Sequence, residues 1–175
     1  MNAQEFNTQE ALTELAGKYL TFHLGEEGYG LEILKVQEII GMQDITKIPR
    51  APDYVKGVIN LRGKVTPVVD LRLKFGMPEQ EVSRKTCIIL TQVQGGESSL
   101  IIGIVVDEVS EVMEISEDQI EPAPAFGTHV DTNFILGMAK SDSAVKILLD
   151  IDKVLSTDEV AALSKTHNVD QQLGM

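Results

Sequence analysis

The sequence predicts a mainly all-β protein built from two copies of one small unit. Short apolar runs are separated by turn signals, namely GEEG after Leu24, QGGESS before Leu100 and SDS before Ala144. An internal repeat is the second observation, and the scarcity of helix signals is the third. Short strands at this spacing are typical of small barrels or sandwiches. Because units of roughly 60 to 70 residues are marginally stable alone, we expect the two units to share apolar surface.

The internal repeat consists of three matching segments that occur in the same order in each half. The matched positions are Lys18 with Lys85, Gly30 with Gly103, and Gly57 and Asp70 with Gly137 and Asp150. The polar segment GMPEQEVSR, from Gly76 to Arg84, lies between the halves and has the composition of a connector. The repeat therefore predicts two β units, at about residues 18–75 and 85–155.

The ends of the chain carry the helix signals. Residues 1–17 include a weakly amphipathic stretch, TQEALTELAG, and we expect this segment to be partly mobile. A clearer helix follows Leu155, where Ser156 as N-cap and Glu159 three residues later form a capping box. Residues 166–175 are polar without periodicity, which predicts a disordered tail after a single domain at 18–165.

The stretch GVINLRGKVT, from Gly57 to Thr66, looks at first like a phosphate-binding loop. A Walker loop needs four residues between its glycines and a hydroxyl after its lysine, but five residues separate Gly57 from Gly63 and Val65 follows Lys64. The next residues are rich in valine and include Pro67, which favours a strand rather than the helix that a phosphate loop opens. The stretch therefore predicts a β-hairpin with a tight turn at Arg62-Gly63-Lys64.

Composition limits the class of partner. Lys and Arg total 15 against 27 Asp and Glu, giving a net charge of −12, and such a surface repels nucleic acid and anionic lipid. The N-terminus lacks the basic start and apolar run of a signal peptide. Cys87 is the only cysteine, so an internal disulfide is excluded, and its strand-like context favours a small buried hydrophobe over a reactive thiol. These features predict a cytoplasmic protein.

Catalytic and metal-binding patterns are weak. His23, His129 and His167 stand in unrelated contexts, and the acidic runs DEVSE and DIDKVLSTDE are typical of solvated faces. An enzyme remains possible only if folding assembles its site. A binding module is the other hypothesis, because Glu38 and Arg62 are single charges inside apolar segments. Both charges point either to solvent from strand edges or to each other on a face that docks a partner.

The residues from Ile48 to Phe75, IPRAPDYVKGVINLRGKVTPVVDLRLKF, closely resemble the core signature of the CheW-like family. This family includes the adaptor of bacterial chemotaxis, the regulatory domain of the kinase CheA, and CheV. The resemblance extends over FHLGEEGYGLEILKVQEI, GIVVDEVSEV, QIEPAPAF and ILLDIDKVL, about Lys18 to Leu163. Since neither a kinase catalytic domain nor a receiver domain accompanies these segments, we expect a stand-alone adaptor.

The resemblance implies two SH3-like five-stranded barrels packed about a shared apolar interface, with exchange of strands between them possible. It also implies no catalytic activity and no cofactor. It implies partners of three kinds: the cytoplasmic tips of chemoreceptors, the regulatory domain of CheA, and other copies of the adaptor in array rings. It places the protein in the cytoplasm, at the inner face of the membrane through receptor arrays. Carried over by position, the partner-binding residues are Val36, Glu38, Gly57, Arg62, Cys87, Gly103, Val109 and Val112.

Among these residues, Glu38 and Arg62 carry the most specific expectation. We expect the two charges to face each other across the first barrel, partly desolvated by Val36 and Leu61. The glycines of the hairpin, including Gly57, are expected to allow a tight turn and the close approach of a partner backbone.

Overall fold

The computed structural model describes residues 15–95, 98–124, 132–156, 158–160 and 162–163. The predicted tail at 166–175, His129, His167 and nearly all of the N-terminal segment lie outside the described residues. The strands and α-helices, in chain order, are β1 (Gly17–Leu24), β2 (Glu27–Glu32), β3 (Val36–Gly41), β4 (Val55–Leu61), β5 (Lys64–Asp70), α1 (Leu71–Lys74), β6 (Cys87–Gly95), β7 (Ser98–Val106), β8 (Glu108–Ile115), β9 (Ile120–Glu121), β10 (Ile135–Ser141), β11 (Ala144–Leu149) and α2 (Ile151–Val154). The prediction of a mainly all-β chain with few short helices is confirmed.

The strands form two sheets. The first has the order β8-β1-β2-β11-β10-β9 and is called the split sheet, because its strands come from both ends of the described chain. The second has the order β3-β6-β7-β5-β4 and is called the continuous sheet, because residues 36–106 supply all of it. Five strands were expected in each unit, and the split sheet has a sixth in the two-residue β9.

Sheet membership does not follow the expected division at 18–75 and 85–155. After the hairpin β1–β2 the chain crosses to the continuous sheet at Ile33–Lys35, and after the hairpin β6–β7 it crosses back at Asp107. These two places are called the first and the second crossing. Each sheet therefore combines the first hairpin of one half with the later strands of the other half, so strand exchange is extensive.

The repeat is visible in the strand registers. In the two parallel pairings Gly30 lies opposite Leu148 and Gly103 lies opposite Val68, so these glycines are structural equivalents. The hairpins β4–β5 and β10–β11 also correspond, since each has a register shift after its first pair and a turn residue at φ 51°, namely Arg62 and Asp142. Two of the three matched segments are thus confirmed.

The third match, Lys18 with Lys85, is wrong by two residues. Lys18 pairs with Glu114, whereas Cys87 pairs with Gly41, the residue of β3 that corresponds to Glu114. The structural counterpart of Lys18 is therefore Cys87. A slip of two residues keeps every side chain on the same face of a strand, so apolar alternation alone does not detect it.

Among the described residues the apolar core has three parts. One large cluster lies between the sheets and combines Phe22, Leu31 and Leu149 of the split sheet with Ile89 and Ile104 of the continuous sheet. Two smaller clusters belong to single sheets, one around Tyr19 and Ile115 and the other around Ile59 and Ile88. The shared apolar surface that the sequence predicts is therefore the largest part of the core, and it fixes the seam between the two sheets.

Each crossing is held by an ion pair to a short helix, either α1, which follows the hairpin β4–β5, or α2, which follows the hairpin β10–β11. At the second crossing, Asp107 accepts hydrogen bonds from Arg72 of α1 and from the N–H of Gly25, both at 2.6 Å. At the first crossing, Asp152 of α2 accepts from Lys35 at 2.7 Å and from the N–H of Gln94 at 2.9 Å. Arg72 and Asp152 occupy equivalent helix positions, so the two ion pairs have opposite polarity.

Candidate partner-binding site

The eight residues predicted to bind partners lie on both sheets. Their positions are Val36 and Glu38 on β3, Gly57 on β4, Arg62 in the β4–β5 turn, Cys87 on β6, Gly103 on β7, and Val109 and Val112 on β8. The structure divides them into an exposed group, a half-buried group at the seam between the sheets, and two buried glycines.

The exposed group contains the ion pair between Glu38 and Arg62. The guanidinium donates two hydrogen bonds, Nη2 to Oε2 at 2.7 Å and Nη1 to Oε1 at 3.2 Å. This fork joins the edge strand β3 to the turn that follows β4, the opposite edge of the continuous sheet. The expectation that the two charges face each other is confirmed. The hydrogen bond from Arg62 lowers the pKa of Glu38, and the bond to Glu38 raises the pKa of Arg62.

The expected desolvation of this pair is wrong. The Arg62 side chain is 66% exposed and that of Glu38 is 36% exposed. The apolar neighbours do not cover the charges because Val36 packs against the core between the sheets and Leu61 packs inside the continuous sheet. In the isolated protein the pair is therefore solvated, and the Coulomb attraction across it is screened.

The two glycines of the predicted set are buried. A Cβ on Gly57, which has φ 139°, would lie 2.0 Å from the backbone oxygen of Thr46, and one on Gly103 would lie 2.8 Å from Cγ2 of Ile88. The space beside Gly57 is therefore filled by the backbone of Thr46 in the same chain and is not open to a partner backbone. The tight turn expected at Gly63 is present, with φ 87°.

The half-buried group consists of Val36, Cys87 and Val109, which all pack against the core between the sheets. The N–H of Val109 hydrogen-bonds the thiol of Cys87, and burial raises the pKa of that thiol above its ordinary value. Cys87 therefore joins the start of β6 to the start of β8, as a small apolar residue with a weak acceptor. These three side chains line the seam between the sheets.

Exposed apolar side chains stand on the edge strands β3 and β8. Ile39 of β3 is 44% exposed and Val112 of β8 is 51% exposed, and the repeat makes these two positions equivalent. Leu34, in the first crossing, is 91% exposed. An edge strand with exposed apolar side chains and unpaired backbone groups is a surface on which a partner can dock. Sequence reasoning missed Leu34, although its place in a largely apolar run next to a charged residue was a signal.

The described ranges contain no group of three His, Cys, Asp or Glu side chains placed to hold a metal ion. In the same ranges no helix is long and apolar enough to cross a membrane.

Comparison with known proteins identifies the family. The CheW-like domain model matches residues 18–159. A chemotaxis protein CheW of Klebsiella aerogenes is 39% identical over 164 residues, which cover 89% of this chain and 96% of the relative. The CheW of Rhizobium meliloti is 33% identical over 153 residues, covering 87% and 96%.

A solved structure shows the same fold. The scaffolding protein TtCheW of Thermoanaerobacter tengcongensis superposes with a TM-score of 0.72 at 38% identity, covering 83% of this chain and 97% of that one. The likeness confirms the expected pair of SH3-like barrels. The chain therefore belongs to the CheW-like family.

Proposed function

We propose that this protein is a non-catalytic adaptor of chemotaxis, coupling the cytoplasmic tips of chemoreceptors to the regulatory domain of the histidine kinase CheA. The observation that carries the proposal is the pair of equivalent apolar edges at Ile39 and Val112, one on each sheet. Two exposed edges on one molecule suit a protein that binds two partners at once. The names of the relatives, chemotaxis protein CheW and scaffolding protein, support the same role.

The ion pair Glu38–Arg62 supplies the specific part of this proposal. An exposed fork of this kind adds little to the stability of the free protein. A docked partner would remove water from around it, and truncation of one charge would then leave the other unpaired inside the interface. We propose that the pair acts in partner binding rather than in folding, together with Val36, Cys87 and Val109 along the seam and Val112 on the exposed edge strand β8.

The proposed location follows from these partners. The adaptor would be cytoplasmic and would reach the inner face of the membrane through receptor arrays, where further copies would complete the rings. The net charge of −12 opposes direct attraction to anionic lipid. No cofactor is required for this role.

A pull-down from lysate tests the partners. Immobilised protein is expected to retain chemoreceptors and CheA. Recovery of neither, together with saturable ATP hydrolysis or salt-sensitive retention of nucleic acid, would contradict the adaptor role.

A double-mutant cycle tests the ion pair. Arg62→Ala is expected to weaken receptor binding about tenfold, with an unchanged melting temperature, and Glu38→Ala should do the same. The double variant should lose less than the two single losses combined, because a shared interaction is lost once. Lys140→Ala is the matched control, since Lys140 also belongs to an exposed ion pair, with Glu121. Additive losses would show that the two charges act separately.

A further inference from the structure

The edge strands of the two sheets are equivalent residue by residue. Strands β3 and β8 each lie at an edge, and each has a register shift near its start. Leu90 and Thr21 correspond in the repeat, because each lies opposite one of the matched glycines. Leu90 pairs with Glu38, and the hydroxyl of Thr21 bonds the backbone of Glu111. Glu111 on the split sheet is therefore the counterpart of Glu38 on the continuous sheet.

The hairpin turns of the two sheets extend this equivalence. Arg62 and Asp142 occupy the same place in the turns β4–β5 and β10–β11, each with φ 51°. In the continuous sheet this turn reaches the edge strand, since Arg62 donates two hydrogen bonds to Glu38. The order β8-β1-β2-β11-β10 repeats the order β3-β6-β7-β5-β4, so the turn β10–β11 stands in the same relation to β8. In the split sheet the two positions of the fork are thus occupied by two carboxylates, Glu111 and Asp142.

Neither of these carboxylates is neutralised within the described ranges. Both residues are exposed, and none of the ion pairs between described residues includes either of them. Lys140, in the same hairpin as Asp142, is already bonded to Glu121 at 2.7 Å. The continuous sheet therefore supplies its own guanidinium at this place, whereas the described part of the split sheet offers two negative charges and leaves them without a counterion.

An apolar side chain and a free strand edge lie beside the acidic pair. Val112 follows Glu111 on β8 and is 51% exposed. Among the described strands β8 pairs only with β1, so the backbone groups on its other side are open to a partner. A partner that docks here meets apolar surface, backbone donors and acceptors, and two negative charges within one short stretch. The complementary partner surface carries a cation next to an apolar side chain.

The arrangement favours a guanidinium over an ammonium as that cation. The planar fork of an arginine donates to two acceptors at once, as Arg62 does to the two oxygens of Glu38 in the other sheet. The two carboxylates of the split sheet come from separate elements, so a cation that is to reach both must have donors that point in two directions. Like charges at neighbouring positions repel, and a cation between them removes this repulsion.

We propose that Glu111 and Asp142 receive an arginine side chain of CheA, which completes on the split sheet the fork that Arg62 completes on the continuous sheet. The proposal rests on the proposed function, in which the Glu38–Arg62 edge serves receptor binding and the equivalent edge is left for the kinase. The adaptor thus distinguishes its two partners by charge, because one edge brings its own guanidinium and the other accepts one.

Isothermal titration calorimetry with purified full-length CheA, at fixed salt, tests the site. Glu111→Gln and Asp142→Asn should each weaken CheA binding about fivefold, because each removes one charged acceptor of the arginine. Asp142→Arg should weaken binding more than Asp142→Asn does, since the new guanidinium occupies Glu111 as Arg62 occupies Glu38. The melting temperatures should remain at the wild-type value, because both positions are exposed.

Glu114→Gln is the matched control. Glu114 is exposed on the same strand, and its counterpart on β3, Gly41, carries no charge. The control changes the net charge by the same amount as Glu111→Gln and should alter CheA binding less than about twofold. Binding of the receptor tip should be unchanged in every variant.

Two results would overturn the proposal. Equal losses for Glu111→Gln and Glu114→Gln would show that only net charge matters, and weakened receptor binding with unchanged CheA binding would show that the edge serves the other partner. Absence of CheA binding in the wild-type protein is a different result, since it would overturn the proposed function and this inference with it.

Discussion

Replacement of Asp107 by alanine is expected to destabilise the protein strongly, although this residue lies in a turn between two strands. Its Oδ2 accepts hydrogen bonds from Arg72 and from the N–H of Gly25, each at 2.6 Å. The side chains of Arg72 and Asp107 are only 12% and 20% exposed. After truncation, Arg72 would keep the bond from its Nε to the Pro78 carbonyl, but its charge would have no counterion there.

The magnitude follows from these two lost bonds. A hydrogen bond to a charged group contributes about 1.5–3 kcal/mol, and removing one partner of a buried ion pair costs about 3–5 kcal/mol. With a discount for the remaining exposure, we expect Asp107→Ala to lower the free energy of unfolding by about 3 kcal/mol. For a chain of this size that corresponds to a fall in melting temperature of roughly 6–12 °C. Asp107→Asn keeps an acceptor for Gly25 and should cost about half as much.

Thermal and denaturant unfolding followed by circular dichroism provide the assay. Glu108→Gln is the matched control, because Glu108 is the next residue and its ion pair with Lys85 is long, at 3.5 Å, and exposed. The control should change stability by less than about 0.5 kcal/mol. A loss for Asp107→Ala as small as that of the control would refute the reasoning. So would losses for Asp107→Ala and Arg72→Ala that add fully in the double variant, since residues sharing one contact must couple.

Three further predictions concern single positions. Gly57→Ala should destabilise by about 3 kcal/mol or more in chemical denaturation, because its Cβ would meet the Thr46 oxygen at 2.0 Å, whereas Gly41→Ala, with nothing within 4 Å, should be nearly neutral. Burial alone would raise the pKa of Glu159, but the hydrogen bonds that its carboxylate accepts lower the pKa to about 2. The stability that Glu159 contributes should therefore be complete above its ordinary pKa of 4.5 and disappear as pH falls toward about 2; a stability difference between wild type and Glu159→Gln that stays constant from pH 6 to 2 would contradict this. Cys87 should react with a thiol reagent far more slowly in the native than in the unfolded protein, because the thiol is half-buried and its pKa is raised.

Features fixed by local sequence could be predicted. The capping box at Ser156 and Glu159 depends on residues three apart, and the turn at Arg62–Lys64 depends on a glycine between two apolar runs. The pairing of Glu38 with Arg62 was predicted from two isolated charges in apolar segments and the family resemblance. In each case the information lies within a few residues or in a single complementary pair.

Features fixed by packing could not be predicted. Because the repeat makes the two halves similar, it does not show that the hairpin β1–β2 joins the later strands of the other half rather than β3 to β5 of its own. Gly57 was interpreted as space for a partner because the approach of Thr46 depends on tertiary structure. The contacts among Tyr54, Lys74 and Glu159 join residues far apart in the chain, and no local pattern marks them.

The opposite polarity of the two crossing ion pairs favours the native topology over one in which the two hairpins are exchanged. A near-repeat offers a wrong assembly in which the hairpin β1–β2 docks against α1 and the hairpin β6–β7 docks against α2. In that arrangement Arg72 would meet Lys35 and Asp152 would meet Asp107, so like charges would approach at both places. In the native arrangement both contacts are attractive. Two ion pairs of the same polarity would have been compatible with the wrong assembly, whereas ion pairs of opposite polarity disfavour it at both crossings. The chain therefore distinguishes its two similar halves by charge, where the apolar pattern alone would leave them interchangeable.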